Sequence, residues 1–314
     1  MYRLGIDLGG TNIAVGIVDE GYNIIGRAKM PTGAKRRAEE ICDDMAKAVN
    51  MAISDAKIDK KDIVNFGIGA PGSVNPVTGV LTHCNNFSFS NINMPEMLKE
   101  RTGFDFKIAN DANAAAYGEY IAGCGKNSKN FIAITLGTGI GSGIVIDGKI
   151  YTGENFAAGE LGHTVIQMDG EFCTCGREGC WEAYGSATAL IRQTKQAMIK
   201  YPDSILWQLC DGDINKVDGK TAFDAKRMDD FAGKQVVRKY IKYIAVGLSN
   251  CINIFQPDTI CIGGGISKEG DYLLDQIKNF INGENYARNL KRKTKIKIAK
   301  LGNDAGIIGA AYLE

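Results

Sequence analysis

The chain is 314 residues long, 45% hydrophobic and 23% charged. At roughly 150 residues per domain this allows two well-cored globular domains, and it excludes a disordered, collagen-like or coiled-coil chain. A net charge of +1 gives no general field for nucleic acid or an acidic membrane surface. No run of ~18 apolar residues is present to span a membrane. The start MYRLGIDLGG enters a strand without a basic and then apolar leader, so a cytoplasmic protein is expected.

Taken in chain order, residues 3–8 predict a strand, followed by the turn Gly9-Gly10-Thr11-Asn12 and a second strand over 13–18. The hairpin signal Asp19-Glu20-Gly21-Tyr22 leads to a third strand over 23–29. Residues 36–57 place Ile41, Met45, Ala48, Val49, Ala52 and Ile53 at helical spacing. A buried strand over 64–70 ends at Pro71-Gly72, and another lies near 107–109. The alanine-rich stretch 112–122 predicts a helix capped by Asn110 or Asp111.

The pattern then restarts. A strand over 131–136 is followed by Gly137-Thr138-Gly139, a strand over 142–146 and the turn Asp147-Gly148. A shift of 128 residues lays Ile6 on Ile134, Leu8 on Leu136, Gly9 on Gly137 and Asp19 on Asp147, which reads as an internal duplication. Two related α/β domains are expected: residues 1–118 with 301–314, and residues 119–300. In the second half, helices are expected over 186–200, over 229–255 and from 271, with strands over 259–262 and 295–299. Residues 203–227 are polar and weakly patterned and predict a surface insertion. A small-residue helix over 304–311 closes the chain.

Nine cysteines, an odd number, disfavour a disulfide framework. Cys42, Cys84, Cys124, Cys210, Cys251 and Cys261 are dispersed, as small buried hydrophobes would be. Cys173, Cys175 and Cys180 are clustered, with His163 upstream, in the spacing H-x9-C-x-C-x4-C. Three thiolates and an imidazole form a closed tetrahedral set for structural Zn²⁺; free cysteines in a loop are the plainer alternative. The glycine turns let backbone N–H groups approach phosphate oxygens without Cβ obstruction, and a third run, Gly263-Gly264-Gly265, adds to the pattern. The turns lack the Gly-Lys-Ser/Thr of a Walker A loop, and those at Gly9 and Gly137 precede strands, unlike a Rossmann loop. Asp7 beside bound phosphates implies Mg²⁺, probed against a simple Asx-turn role. Glu160, His163, Glu182 and Asn110 are side chains of the kind that pair with sugar hydroxyls. Asp111 at a helix start has its ionised form, the form a catalytic base needs, favoured by the dipole.

These segments resemble the ROK group (repressors, open reading frames, kinases) of the actin-like ATPase superfamily. The resemblance is carried by Asp7-Leu8-Gly9-Gly10-Thr11, Asn110-Asp111-Ala112-Asn113, Leu136-Gly137-Thr138-Gly139-Ile140-Gly141, Gly159-Glu160-Leu161-Gly162-His163 and the run from Cys173 to Cys180-Trp181-Glu182. It covers essentially the whole chain. It implies two actin-like, ribonuclease H-like domains with a cleft between them, and an ATP-dependent hexose kinase, with glucose as the first expectation. It further implies Asp111 as general base on the sugar 6-hydroxyl, Asn110, Glu160, His163 and Glu182 on the other hydroxyls, and Gly72 lining the pocket. Asp7, Gly9, Gly10, Thr11, Asn12, Gly137, Thr138, Gly139, Gly264 and Gly265 would hold Mg-ATP. His163 would serve both Zn²⁺ and sugar. A homodimer or homotetramer is also implied.

The segment 83–94 lacks the tryptophan expected there and carries Phe87-Ser88-Phe89, which bears on sugar preference. N-acetylmannosamine, N-acetylglucosamine, allose and fructose are the competing substrates. The rival classes are a non-catalytic sugar sensor and a repressor of the same group, whose helix-turn-helix would precede the first strand.

Overall fold

A computed structural model describes residues 1–84, 87–286 and 288–314, with Asn85, Asn86 and Ala287 outside the described set. In chain order the elements are β1 (Tyr2–Leu8), β2 (Asn12–Val18), β3 (Ile24–Pro31), α1 (Ala38–Ala56), β4 (Ile63–Ala70), β5 (Ser73–Asn75), β6 (Val80–His83), β7 (Ile92–Asn93), α2 (Met94–Thr102), β8 (Phe106–Asn110) and α3 (Asp111–Ile121). There follow β9 (Phe131–Leu136), β10 (Ile140–Ile146), β11 (Lys149–Ile150), α4 (Glu182–Gly185), α5 (Ala187–Lys200), α6 (Leu206–Leu209), α7 (Thr221–Arg227), α8 (Phe231–Phe255), β12 (Thr259–Gly263), α9 (Gly270–Glu284), β13 (Lys295–Ile298) and α10 (Asp304–Ala311). Two five-stranded sheets have the orders β3-β2-β1-β4-β8 and β11-β10-β9-β12-β13, so the second repeats the first strand for strand. Two compact units are formed: residues 1–133, 143–159 and 299–314, and residues 134–142 and 160–298. Among the described residues no helix is long and apolar enough to cross a membrane.

In the first unit, β1 turns Leu4, Ile6 and Leu8 into a core shared with Ile41, Met45 and Val49 of α1. Alternation along a strand sends Gly5 and Asp7 to the opposite face. There Gly16, Gly5 and Gly67 stand side by side across β2, β1 and β4. α10 lies on this glycine row: a Cβ at Gly5 would sit 1.9 Å from the Ile307 carbonyl oxygen, and one at Gly67 1.9 Å from that of Ala310. On its other side α10 meets α3 as closely, since a Cβ at Gly309 would lie 1.7 Å from the Ala114 carbonyl oxygen. A helix enclosed by a sheet and a second helix needs small residues where backbones meet, and α10 supplies Ala305, Gly306, Gly309, Ala310 and Ala311. The six dispersed cysteines are all buried, as expected.

Two segments differ from the sequence reading. Residues 203–227 are not a surface insertion: Leu206, Val217, Ala222, Phe223 and Ala225 are buried. Asp230, the N-cap of α8, accepts from the Ser204 hydroxyl at 2.9 Å and thereby pins the start of the segment to that helix. Between Ser73 and Thr102, β5–β7 form a small antiparallel sheet followed by α2, none of it foreseen. Strands of two to four residues are too short to show a period of 2.

Candidate active site

In the first unit, Asp7 lies one residue before the end of β1 on the face toward α10, where a Cβ at Gly306 would come within 2.9 Å of its carboxyl carbon. Burial, and after it the Asp111 charge, pushes Asp7 up to about 6. Asp111 opens α3, beside Gly69 of β4, where a Cβ would meet the Asp111 Cα at 3.6 Å. Its carboxyl is also held above the ordinary carboxylate range: desolvation outweighs the Ala112 N–H, which donates to Oδ1 at 2.8 Å. Burial thus outweighs the helix start in direction, and Asp111 stands above the ordinary carboxylate range and not below it. Two carboxyls raised by burial, one of them also by the charge of the other, suit an oxygen-seeking divalent cation, and Asp7 is of the type that could hold one.

Asn110 is the N-cap of α3. Its Oδ1 accepts from the Asn113 N–H at 3.1 Å, and its Nδ2 donates to the Gly72 carbonyl at 3.0 Å. This bond fixes Gly72, whose φ of 98° is readily available to glycine, beside the start of α3. The Asn110 side chain also hydrogen-bonds the Asp111 carboxyl. In the first turn, Gly9 N–H donates to the Asn12 carbonyl at 2.9 Å and the Thr32 hydroxyl donates to the Gly9 carbonyl at 2.7 Å. Gly10 and Thr11 stand exposed above these bonds. Thr32 was not anticipated, and a buried threonine at a strand end gives no sequence signal.

The second unit carries the matching turn. Gly137 N–H donates to the Gly139 carbonyl at 3.0 Å, Thr138 is exposed, and a Cβ at Gly137 would meet nothing within 4 Å. Gly264, with a φ of 83°, packs on this turn: its Cβ would lie 2.4 Å from the Leu136 carbonyl oxygen. Gly265 beside it also faces open space. The structure thus brings Gly137, Gly264 and Gly265 together with backbone exposed, as a phosphate cradle requires.

Glu182 opens α4 next to this turn. Its Oε2 accepts from the Ile140 N–H at 2.9 Å, and a Cβ at Gly139 would lie 2.3 Å from the same oxygen. Its Oε1 accepts from the Thr174 hydroxyl at 3.3 Å, a positioning contact absent from the sequence reading. Glu160 and His163 bracket the single helical turn Leu161–His163; Glu160 is exposed and its carboxylate makes no capping bond.

His163, Cys173, Cys175 and Cys180 converge, with all four donor atoms within 4.8 Å of one another. His163 Nδ1 is 3.6 Å from Cys173 Sγ, and Cys175 Sγ is 3.7 Å from Cys180 Sγ. Zinc–sulfur bonds of about 2.3 Å with a zinc–nitrogen bond of about 2.0 Å, at tetrahedral angles, set neighbouring donors roughly 3.6–3.8 Å apart. The donor set therefore fits a tetrahedral zinc ion. Burial pushes Cys180 up to about 12 and raises Cys173, while the Arg177 N–H lowers Cys175. Trp181 anchors the loop: its ring is fully buried against Gly247 of α8, and its Nε1–H donates to the Tyr243 carbonyl at 2.9 Å.

The sequence profile of the ROK family matches residues 3–314. The chain belongs to the ROK family. It is 38% identical over 312 residues to the glucokinase of Streptomyces coelicolor, covering 99% of this chain and 96% of that one. It is 36% identical over 314 residues to the glucokinase of Halalkalibacterium halodurans, with 99% and 94% covered. Among solved structures, the ROK family glucokinase of Streptomyces griseus in complex with glucose and AMPPNP superposes with a TM-score of 0.81 at 34% identity, over 99% of this chain and 98% of that one. The two sheets of matching strand order are the actin-like ATPase domains of this family.

Proposed function

We propose that this ROK-family protein is an ATP-dependent hexokinase-type phosphotransferase that converts glucose to glucose 6-phosphate. The observation that carries the reading is a desolvated carboxyl at a helix start, Asp111, in a chain with two repeated glycine turns, each closed by an internal N–H to carbonyl bond and exposed at its tip. The likeness over nearly its whole length to glucokinases supports the choice of sugar.

In the reaction, the sugar 6-hydroxyl oxygen attacks the γ-phosphorus, the bond to the β–γ bridging oxygen breaks, and ADP leaves. The hydroxyl proton passes to an Asp111 carboxylate oxygen and from there to water. A carboxyl lifted above its ordinary range is a better base for this transfer than a solvated one. Gly9, Gly10, Thr11 and Asn12, with Gly137, Thr138, Gly139, Gly264 and Gly265, surround the nucleotide phosphates: the Gly9 and Gly137 N–H groups close the turns from within, and the exposed Thr11 and Thr138 hydroxyls and the N–H groups of Gly10 and Gly265 face the phosphates. Asp7 holds Mg²⁺, which when bound neutralises phosphate charge. Asn110, Glu160, His163 and Glu182 hold the other sugar hydroxyls, with Gly72 lining that place.

His163, Cys173, Cys175 and Cys180 hold Zn²⁺, which when bound fixes the loop. The Nδ1 atom of His163 faces the thiols, which leaves Nε2 for a hydroxyl. Nine free thiols suit a reducing, cytoplasmic setting. The assembly is proposed as a homodimer or homotetramer and the domains as residues 1–118 with 301–314 and 119–300, both on family likeness. Identifying the product by ³¹P NMR after incubation with glucose and Mg-ATP tests the reaction. A sugar 6-phosphate resonance is expected; ATP hydrolysed to ADP and inorganic phosphate alone would contradict it.

A further inference from the structure

A cavity of about 370 Å³ in the second unit opens between the C-terminal ends of α8 and α9 and the segment leading into β13. Its floor is apolar, made by the buried Ile252, Ile281 and Ile296. Its rim is made by Lys278, Arg288, Arg292, Lys293, Lys295 and Lys297, and no aspartate or glutamate lines it. The sequence from 285 to 300 holds seven lysines and arginines and no acid, against a net +1 for the whole chain. Arg292 pairs with Asp258. Among the described residues, Lys278, Arg288, Lys293 and Lys295 form no ion pair.

Lysines on an edge strand discourage pairing with another sheet, and β13 is an edge. That accounts for Lys295 and Lys297. It does not account for Lys278 on α9 or for Arg288 and Lys293 before the strand, which converge on the same hollow. Helix C-termini offset only part of such mutual repulsion. Volume and apolar floor fall within the range of small-molecule sites. The cavity is also remote from the glycine turns within its own unit. The parallel register sets Lys295 level with Thr259 at the start of β12, whereas Gly264 follows the end of that strand, roughly 16 Å further along.

We propose that this cavity binds a small organic anion carrying two or more phosphate groups, its carbon skeleton on the isoleucine floor and its phosphates on the cationic rim. The inference does not rest on the reaction proposed above. The test is isothermal titration calorimetry of the full chain with fructose 1,6-bisphosphate and, separately, inorganic phosphate, in excess glucose and AMPPNP. One bisphosphate per chain is expected, bound at least tenfold more tightly than inorganic phosphate. Binding should weaken more than tenfold in the variant K278A/R288A/K293A and persist in K278R, with the thermal midpoint and kinase turnover of both variants preserved. Equal binding by the triple variant, no preference over inorganic phosphate, or displacement by a DNA duplex at lower concentration than the bisphosphate itself would overturn the proposal.

Discussion

Asp7 and Asp111 are displaced in the same direction by the same cause, loss of water, and they answer different tests. Asp111→Asn keeps the shape and removes the base, so kcat is expected to fall by about 10²–10⁴ while KM for ATP changes little. Steady-state kinetics in both substrates checks this; near-normal turnover contradicts the role. Asp7 bears on stability as well. Its folded-state pKa of about 6 exceeds the ordinary 3.8, so between these values the folded protein binds more protons than the unfolded chain. Stability is therefore lost as pH rises through that window, by up to ~3 kcal/mol above it. Asp7→Asn, measured without Mg²⁺, is expected to unfold at a higher temperature than the parent at pH 8 and at the same temperature near pH 3.5, while losing Mg-ATP turnover. An unchanged midpoint at pH 8 would contradict the burial argument. Of the site residues, Asp7, Asp111 and the glycines were legible because their types and places beside strands are unusual. Thr32 and Gly306 were not, since each acts by touching a residue far away in sequence, and Thr174 was not, since a hydroxyl between two cysteines gives no signal of its own.

At the scale of elements, period-2 and period-3.6 patterns revealed the long strands and helices, yet the row Gly16, Gly5 and Gly67 escaped them. A pattern of apolar residues reads glycine as a gap, whereas here the gaps are the surface on which α10 rests. Gly67→Ala is expected to destabilise the protein by ~1–3 kcal/mol, because a rigid backbone carbonyl and not a movable side chain occupies the space. Urea denaturation reads this, and a midpoint equal to the parent's would show that α10 can shift freely. The segment 203–227 escaped notice for another reason: its buried residues are spread over helices of four and seven residues, below the length at which helical spacing shows. The convergence of His163 with Cys173, Cys175 and Cys180 was legible because thiol spacing is specific. Cys175→Ser is expected to lower zinc content, read by atomic absorption, and to raise KM for sugar more than KM for ATP, since His163 and Glu182 adjoin the loop. Unchanged sugar KM in zinc-free protein would separate the loop from the substrate.

At the scale of the whole molecule, the 128-residue shift that aligns the two glycine turns reappears as two sheets of identical strand order. Duplication explains why one chain presents two phosphate-type turns, one in each unit. The balanced net charge hid the local excess of cations before β13, since composition averages over the surface. Sugar choice stayed open in the sequence because epimers differ in hydrogen-bond direction, which residue identity does not encode. Phe87 and Phe89 stack with ring centroids 5.0 Å apart, and Asn85 and Asn86 of the same segment lie outside the described residues. The most direct measurement is coupled ADP release from Mg-ATP by zinc-replete protein across glucose, fructose, allose, N-acetylglucosamine and N-acetylmannosamine. Glucose is expected to give the highest kcat/KM, and Asp111→Asn to abolish it. No turnover with any of these sugars would contradict the kinase and leave a sensor in its place.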